Sequence, residues 1–551
     1  MDVAKTRHSE FFAAFCPVFP GPLAAFAVAG FTKNYALACF DQPEITPKET
    51  SWEIPATLMT LSVTHSAERA SQLRGLLPLW VGVFVYVLLV LAGNSLLRDP
   101  DTMWHITVGQ WMLDNHAVPH TDIYSLTMRG QPWISMQWVA EVLYAKAYAL
   151  FGWSGPVALA AAGSALTFAL LARFLTRHLN DSTALVFVAA ALALTMGHLL
   201  ARPHVLALPV MIAWVGGLID AADRRAAPSF WLLPLIALWA NLHGGFILGL
   251  MLVGPIALDA VVSADAASRK SLALRWAVFG LAALVAACCT PYGWNSMLAS
   301  KNILSLGSVL LLISEWLPAD FSSLGAFEIC LLMGLGMVLL YGIKLPPTRI
   351  LLLLGLLHMA LAQGRSAETL ALLGPMVLAV PLARQIGGAE ASPASGASMP
   401  RGLLFGGIAI VLMVATLAYG SVVRFKPDVR HAPVAAVATL KQMNLTRVLN
   451  DYDFGSYLIS NGVAPFIDGR TDLYGEKFFI DHNNAIMSLE PNALFRLLDE
   501  YKIEAVLLRT TRPGAKLLDH VDGWQKAYSD DIATLHVRVP GAMHTAEPPV
   551  K

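Results

Sequence analysis

Residues 98–113 read RDPDTMWHITVGQWML and follow an apolar run that ends near Leu97. Two carboxylates, Asp99 and Asp101, thus stand where a membrane helix leaves the bilayer. A carboxylate held there is a candidate general base. His105, one turn on from Asp101, can orient it or bind an anion. A plainer role competes. Asp is a good N-cap, and Trp104, Val108 and Trp111 share one face, as in an interfacial aromatic belt. Composition alone favours the plainer role, because caps are common.

The same segment continues to a polar turn (Asp122, Tyr124, Ser125) and a second amphipathic stretch (Trp133, Gln137, Trp138), where Glu141 is the one acid on an otherwise apolar face. Three further clusters lie at the ends of apolar runs: ARPH with Arg202 and His204, WANLHGG with Asn241 and His243, and QGR with Gln363 and Arg365. Glu368 is the acid expected to pair with Arg365. Polar groups at such depth are costly and tend to be paired or functional. Three clusters at one face point to a shared pocket for an anion such as phosphate, against a plainer reading of snorkelling toward lipid headgroups. Tyr292, Glu315 and Trp316 are candidates for a substrate groove, with the apolar ILSLGSVLLLI between them read as interfacial. Further on, Asn450, Asp451, Asp453, Asp468, Arg470 and Asp472 crowd into residues 449–475. They form either a turn with self-paired charges or a recognition surface facing the pocket.

These groups need a scaffold, and composition names its class. The chain has 551 residues, 56% hydrophobic and 14% charged, with mean hydropathy +0.57. Soluble domains carry about 25% charged residues. The deficit implies a polytopic membrane protein, mainly α. Net charge is zero, which argues against a nucleic-acid partner. Five cysteines have no disulfide or zinc spacing and read as small buried hydrophobes. No metal or other cofactor is expected, although a divalent ion remains compatible with the acids.

Apolar runs lie near 76–97, 154–175, 183–200, 204–222, 229–241, 245–263, 272–290, 326–343, 348–363, 367–384 and 403–423, about eleven spans at ~20 residues each. NLHGG at 241–245 divides a run too long for one helix. With the N-terminus cytoplasmic, that break puts Arg173, Arg177, Arg224, Arg225, Arg269, Lys270, Arg275, Lys344, Arg349, Arg384 and Arg401 inside, and leaves only Arg202 and Arg365 in the short outer connections. Outer loops are then 98–153 and 291–325. The domain boundaries are a cytoplasmic leader at 1–75, a membrane domain at 76–425 and an outer α/β domain at 426–551. Met59 is an alternative start, and 386–400 a flexible inner linker. In the tail, TRVLN and EAVLLRT read as buried strands, PNALFRLLDEY as a helix, and WQKAYSDDIATLHVRV as strand–turn–strand.

The stretch DPDTMWHITVGQWMLDNHAVPHTDIYSLTMRGQPWISMQWVAEVLY, together with ARPH, LWANLHGGF and FIDGRTDLYG, resembles polytopic bacterial members of the GT-C glycosyltransferase superfamily over about residues 76–510. The resemblance implies a multi-span enzyme of the bacterial inner membrane that takes a sugar from a polyprenyl-phosphate donor to an envelope acceptor on the periplasmic face. It implies catalytic acids at Asp99 and Asp101, whose DPD is similar to a D-x-D pattern. Arg202, His204, His243 and Arg365 would hold the donor phosphate, and His105, Glu141, Asn241, Tyr292, Asp468 and Arg470 would contact substrate. DYDFG…FIDGR is similar in order to a region of oligosaccharyltransferases. Leu449 and Asn450 replace the Trp pair that precedes it there, which speaks against peptide-sequon recognition. Two other classes compete: a transporter or flippase of a lipid-linked saccharide, which would use the same basic pocket, and a non-catalytic envelope assembly factor that presents its tail to partners.

Overall fold

The computed structural model describes residues 75–304, 307–386 and 401–539. Contacts divide the chain into two units, Met1–Ala67 and Glu68–Lys551. The leader, the Met59 start and nearly all of the inner linker lie outside the described residues.

Each apolar run folds as a helix, the only open-ended element that satisfies its own backbone away from water. Helix α1 (Gly75–Leu97) leads into two loop helices, α2 (Asp101–Asn115) and α3 (Trp138–Phe151). Then come α4 (Ser154–Leu175), α5 (Asp181–Thr195), α6 (Pro203–Asp223), α7 (Phe230–Leu242), α8 (Phe246–Val262) and α9 (Arg269–Ala287). A second loop carries α10 (Asn295–Leu304). The apolar set closes with α11 (Ala326–Tyr341), α12 (Pro347–Ala362), α13 (Gly364–Ile386) and α14 (Arg401–Val423). Among the described residues, six are long and apolar enough to cross a bilayer: α1, α4, α6, α9, α13 and α14. The other five, α5, α7, α8, α11 and α12, run only 10–17 residues. Of the about eleven expected spans, all are helical and six have full spanning length, while five are shorter than the ~20 residues a straight crossing needs. The NLHGG break is real, since α7 ends at Leu242 and α8 begins at Phe246.

Helix α6 is the centre of the bundle. Its apolar window is 83% buried, against 11% for α14. Arg202, the residue that opens α6, therefore sits over the bundle's middle and not at its rim. The opposite end of α6 is fastened by a second buried arginine. Arg349 donates to Asp259 at 3.0 Å, to the Val377 carbonyl at 3.0 Å and to Asp223.

The tail forms α15 (Val434–Gln442), β1 (Val448–Asn450), α16 (Gly455–Ser460), α17 (Thr471–Ile486), α18 (Ala493–Glu500), β2 (Ala505–Arg509), α19 (Pro513–Leu518), β3 (Trp524–Ser529) and β4 (Ala533–Arg538). The sheet order is β1-β2-β4-β3, with β1 parallel to β2 and the other pairs antiparallel. Strand β2 is central and covered on both faces, which explains its unbroken apolar run. Val506 and Leu508 pack with α17 and α18 on one side, Ala505 and Leu507 with α15 on the other.

Two expectations are modified here. Val309, from the run read as interfacial, is fully buried in the tail's own core beside Phe466 and Phe479, while Leu311 and Leu312 of that run are exposed. Cys288, Cys289 and Cys330 are free thiols, and none of the three is buried.

Candidate active site

The site grows from the junction of α1 and α2. The Asp99 side chain accepts the Asp101 backbone N–H at 2.8 Å. Asp99 thus supplies a partner for one of the orphan donors of the first turn. Asp101 is not the cap, contrary to the plainer expectation, and its carboxylate is left for other contacts. Thr102 fastens this turn by donating to the Ala201 carbonyl at 3.0 Å, which brings Arg202 alongside.

Arg202 then gathers three acids. Its Nη1 donates to Asp99 Oδ2 at 3.1 Å and to Glu315, and its Nη2 donates to Asp101 Oδ2 at 3.2 Å. Burial opposes the charge on Arg202, but Asp99, Asp101 and Glu315 outweigh it and hold the guanidinium protonated. Asp99 is pushed the other way. Burial raises its pKa above the usual carboxylate value; Arg202 works against that rise, and the neighbouring Asp101 charge adds to it. Glu315 also faces Arg365 at 3.7 Å, and Arg365 lies over the Trp316 ring at 4.8 Å. The expected Arg365–Glu368 pair is replaced by this one.

These groups border a cavity of about 290 Å³. Asp101, Arg202, Glu315 and Arg365 are among its polar lining residues, and Met211, Trp239, Leu248 and Met359 among its apolar ones. His105, His204 and His243 also line it. Their hydrogen bonds distinguish them. His204 donates from Nε2 to the His198 carbonyl at 2.8 Å, so a neutral His204 has no N–H left for a phosphate. His243 accepts the Gly245 N–H at Nδ1, 3.1 Å away, so its proton sits on Nε2. His105 Nδ1 meets Glu141 Oε1 at 3.1 Å, and Ser135 donates to Glu141 Oε2 at 2.6 Å. This buried chain depends on Gly109, where a Cβ would stand 2.0 Å from the Glu141 carbonyl oxygen. Only a bare α-carbon lets α2 and α3 approach closely enough.

The structure thus gathers Asp101, His105, Arg202, His204, His243 and Arg365 around one cavity, with Asp99 and Glu141 directly behind. Four expected substrate residues are elsewhere. Asn241 is held by Trp138 Nε1 and by the carbonyls of Ala237 and Cys289. Tyr292 donates to the Pro119 carbonyl at 2.9 Å. Asp468 and Arg470 pair with each other inside the protein, at 1% and 3% exposure, where Arg470 also reaches Asp122 at 2.6 Å and lies 4.7 Å from the Trp133 ring. They fasten the first loop to the tail, an internal tie and not a surface facing the cavity. Leu126 and Thr127 add bonds to the carbonyls of Pro465 and Phe466 at 2.8 and 2.7 Å. Two site residues went unread in the sequence. Ser456 donates to Asp101 Oδ1 at 2.7 Å, and Gly469 lines the cavity beside it. Nothing in the sequence singled out Ser456; Gly469 stood inside the DGR motif.

No protein family matches the sequence, and no curated protein matches it. Fourteen solved chains match in structure. One is the archaeal oligosaccharyltransferase AglB from Archaeoglobus fulgidus, in complex with an inhibitory peptide and a dolichol-phosphate: 12% identity, TM-score 0.47, covering 78% of this chain and 69% of that one. Another is ArnT from Cupriavidus metallidurans bound to undecaprenyl phosphate: 14% identity, TM-score 0.45, covering 84% of this chain and 98% of that one. Scores below 0.5 leave the description of the fold to the helices and sheet above.

Proposed function

We propose that this chain is a membrane glycosyltransferase that transfers a sugar from a polyprenyl-phosphate donor to an envelope acceptor at the periplasmic face of the inner membrane. The observation that carries this reading is Glu315. Its carboxylate bridges Arg202 and Arg365, and an anion between two guanidinium groups marks where a donor phosphate would be held. Asp101 stands on the same Arg202, and the apolar side chains that also line the cavity suit a group that arrives from the bilayer.

In the proposed step Asp101 takes the proton of an acceptor hydroxyl. The acceptor oxygen bonds to the anomeric carbon, and the carbon–oxygen bond to phosphate breaks. The phosphate leaves with the electron pair, and Arg202 and Arg365 stabilise its charge in a partly dry site. At about 290 Å³ the cavity lies just below the roughly 300–1,000 Å³ of small-molecule sites, which fits one sugar-phosphate head better than a long oligosaccharide.

The test is to incubate the purified protein in lipid with a panel of polyprenyl-phosphate sugars and an envelope extract, and to measure free polyprenyl phosphate. Release by the parent and not by Asp101→Asn is expected. Donor binding without release would favour a transporter, and neither binding nor release an assembly factor.

A further inference from the structure

The two oxygens of Asp101 have different partners. Oδ2 faces Arg202 Nη2 at 3.2 Å, and Oδ1 accepts from Ser456 Oγ at 2.7 Å across 355 positions of sequence. Ser456 is 3% exposed in α16, so water does not compete for its hydroxyl. Gly469, from the loop before α17, packs on the same oxygen: a Cβ there would stand 2.9 Å from Asp101 Oδ1. Its backbone angle is ordinary, so space and not conformational freedom is what the position requires.

A carboxylate beside a guanidinium tends toward the two-pronged arrangement in which both oxygens face the nitrogens. That arrangement would leave Asp101 with no oxygen directed at an acceptor. We propose that Ser456 and Gly469 are positioning residues of the C-terminal α/β unit, holding Asp101 Oδ1 away from Arg202 and toward the cavity. The tail then completes the setting of the proposed base, and a membrane domain without it is inactive. This rests on the reading of Asp101 as the base.

The test uses the full chain in lipid, with polyprenyl-phosphate hexoses as donors. Ser456→Ala and Gly469→Ala are each expected to lower kcat per folded molecule about tenfold, the scale of one charge-assisted hydrogen bond, with KM within twofold. Ser456→Thr, which keeps the hydroxyl, restores kcat. A merely structural role would reduce folded yield and leave kcat per folded molecule unchanged. Parental kcat in Ser456→Ala, in a protein that Asp101→Asn inactivates, overturns the inference and spares the base. Parental kcat in Asp101→Asn overturns the base, and this inference with it. Thermal unfolding provides an arm that needs no donor. Ser456→Ala and Asp101→Ala should be non-additive when combined, and additivity overturns the contact itself.

Discussion

Arg470 and Asp122 lie 348 positions apart, yet their side chains meet at 2.6 Å with no more than 2% of either exposed. Asp468 shares the same guanidinium at 2.7 Å. Removing one partner of a buried pair costs about 3–5 kcal/mol, because the other is left charged in a dry site. Arg470→Met strands two carboxylates and should remove that much from the tail's stability. Lys477→Ala breaks only an exposed pair one helical turn apart, and should leave the unfolding temperature nearly unchanged. Thermal unfolding of the two variants in the same detergent checks the contrast, and equal shifts would contradict it.

Glu315 occupies the place assigned to the donor phosphate, so it competes with it. Glu315→Gln is expected to bind free polyprenyl phosphate about two- to fivefold more tightly, the scale of one partly exposed ion pair. Titration with the lipid phosphate in nanodiscs measures this. Weaker binding in the variant would mean that Glu315 helps to build the anion site.

Asp99 and Asp101 should separate under conservative substitution. Asn at 99 still accepts the Asp101 N–H, since Asn caps about as well as Asp, and Arg202 keeps Asp101 and Glu315 when it loses Asp99, so Asp99→Asn should keep the start of α2 and lose less than tenfold in turnover. Asp101→Asn removes the proposed proton acceptor and should lose roughly 10²–10⁴-fold. The reverse order of losses would move the base to Asp99.

His482 makes the tail sensitive to acid. It is 2% exposed and donates from Nε2 to the Asn450 carbonyl at 2.9 Å. Burial holds its pKa down at about 4, despite that bond. An unfolded histidine takes its proton near pH 6.5. Between these values the unfolded chain binds the extra proton and the folded one does not, so stability falls as pH drops from about 6.5 toward 4. The loss approaches ~3 kcal/mol at the lower end. His482→Gln should flatten this part of the melting temperature–pH curve, and an unchanged slope would assign the acid sensitivity to another group.

The sequence was a good guide wherever one physical term dominated. Apolar runs marked the helices, the NLHGG cluster marked their break, and the unbroken AVLL run marked a strand covered on both faces. Arg202 and Arg365 were legible as costly charges at helix ends. Long-range pairing was not legible. Asp468 and Arg470 have the residue types of a recognition surface, and nothing local says that Asp122 neutralises them. Asp101 looked like a cap because its position is right for one, and Asp99, two residues earlier, accepts the same turn's N–H. Ser456 carries no local signal, because its importance lies entirely in a residue hundreds of positions away.

The distance in sequence between Asp101 and Ser456 also sets an order of events during synthesis. At roughly 5–20 residues per second, 355 positions take roughly 20–70 s to translate. Throughout that interval the acid is already made while the hydroxyl that aims it does not yet exist. If Ser456 has the positioning role proposed for it, a chain that terminates before the tail carries Asp101 without its hydroxyl partner and is inert.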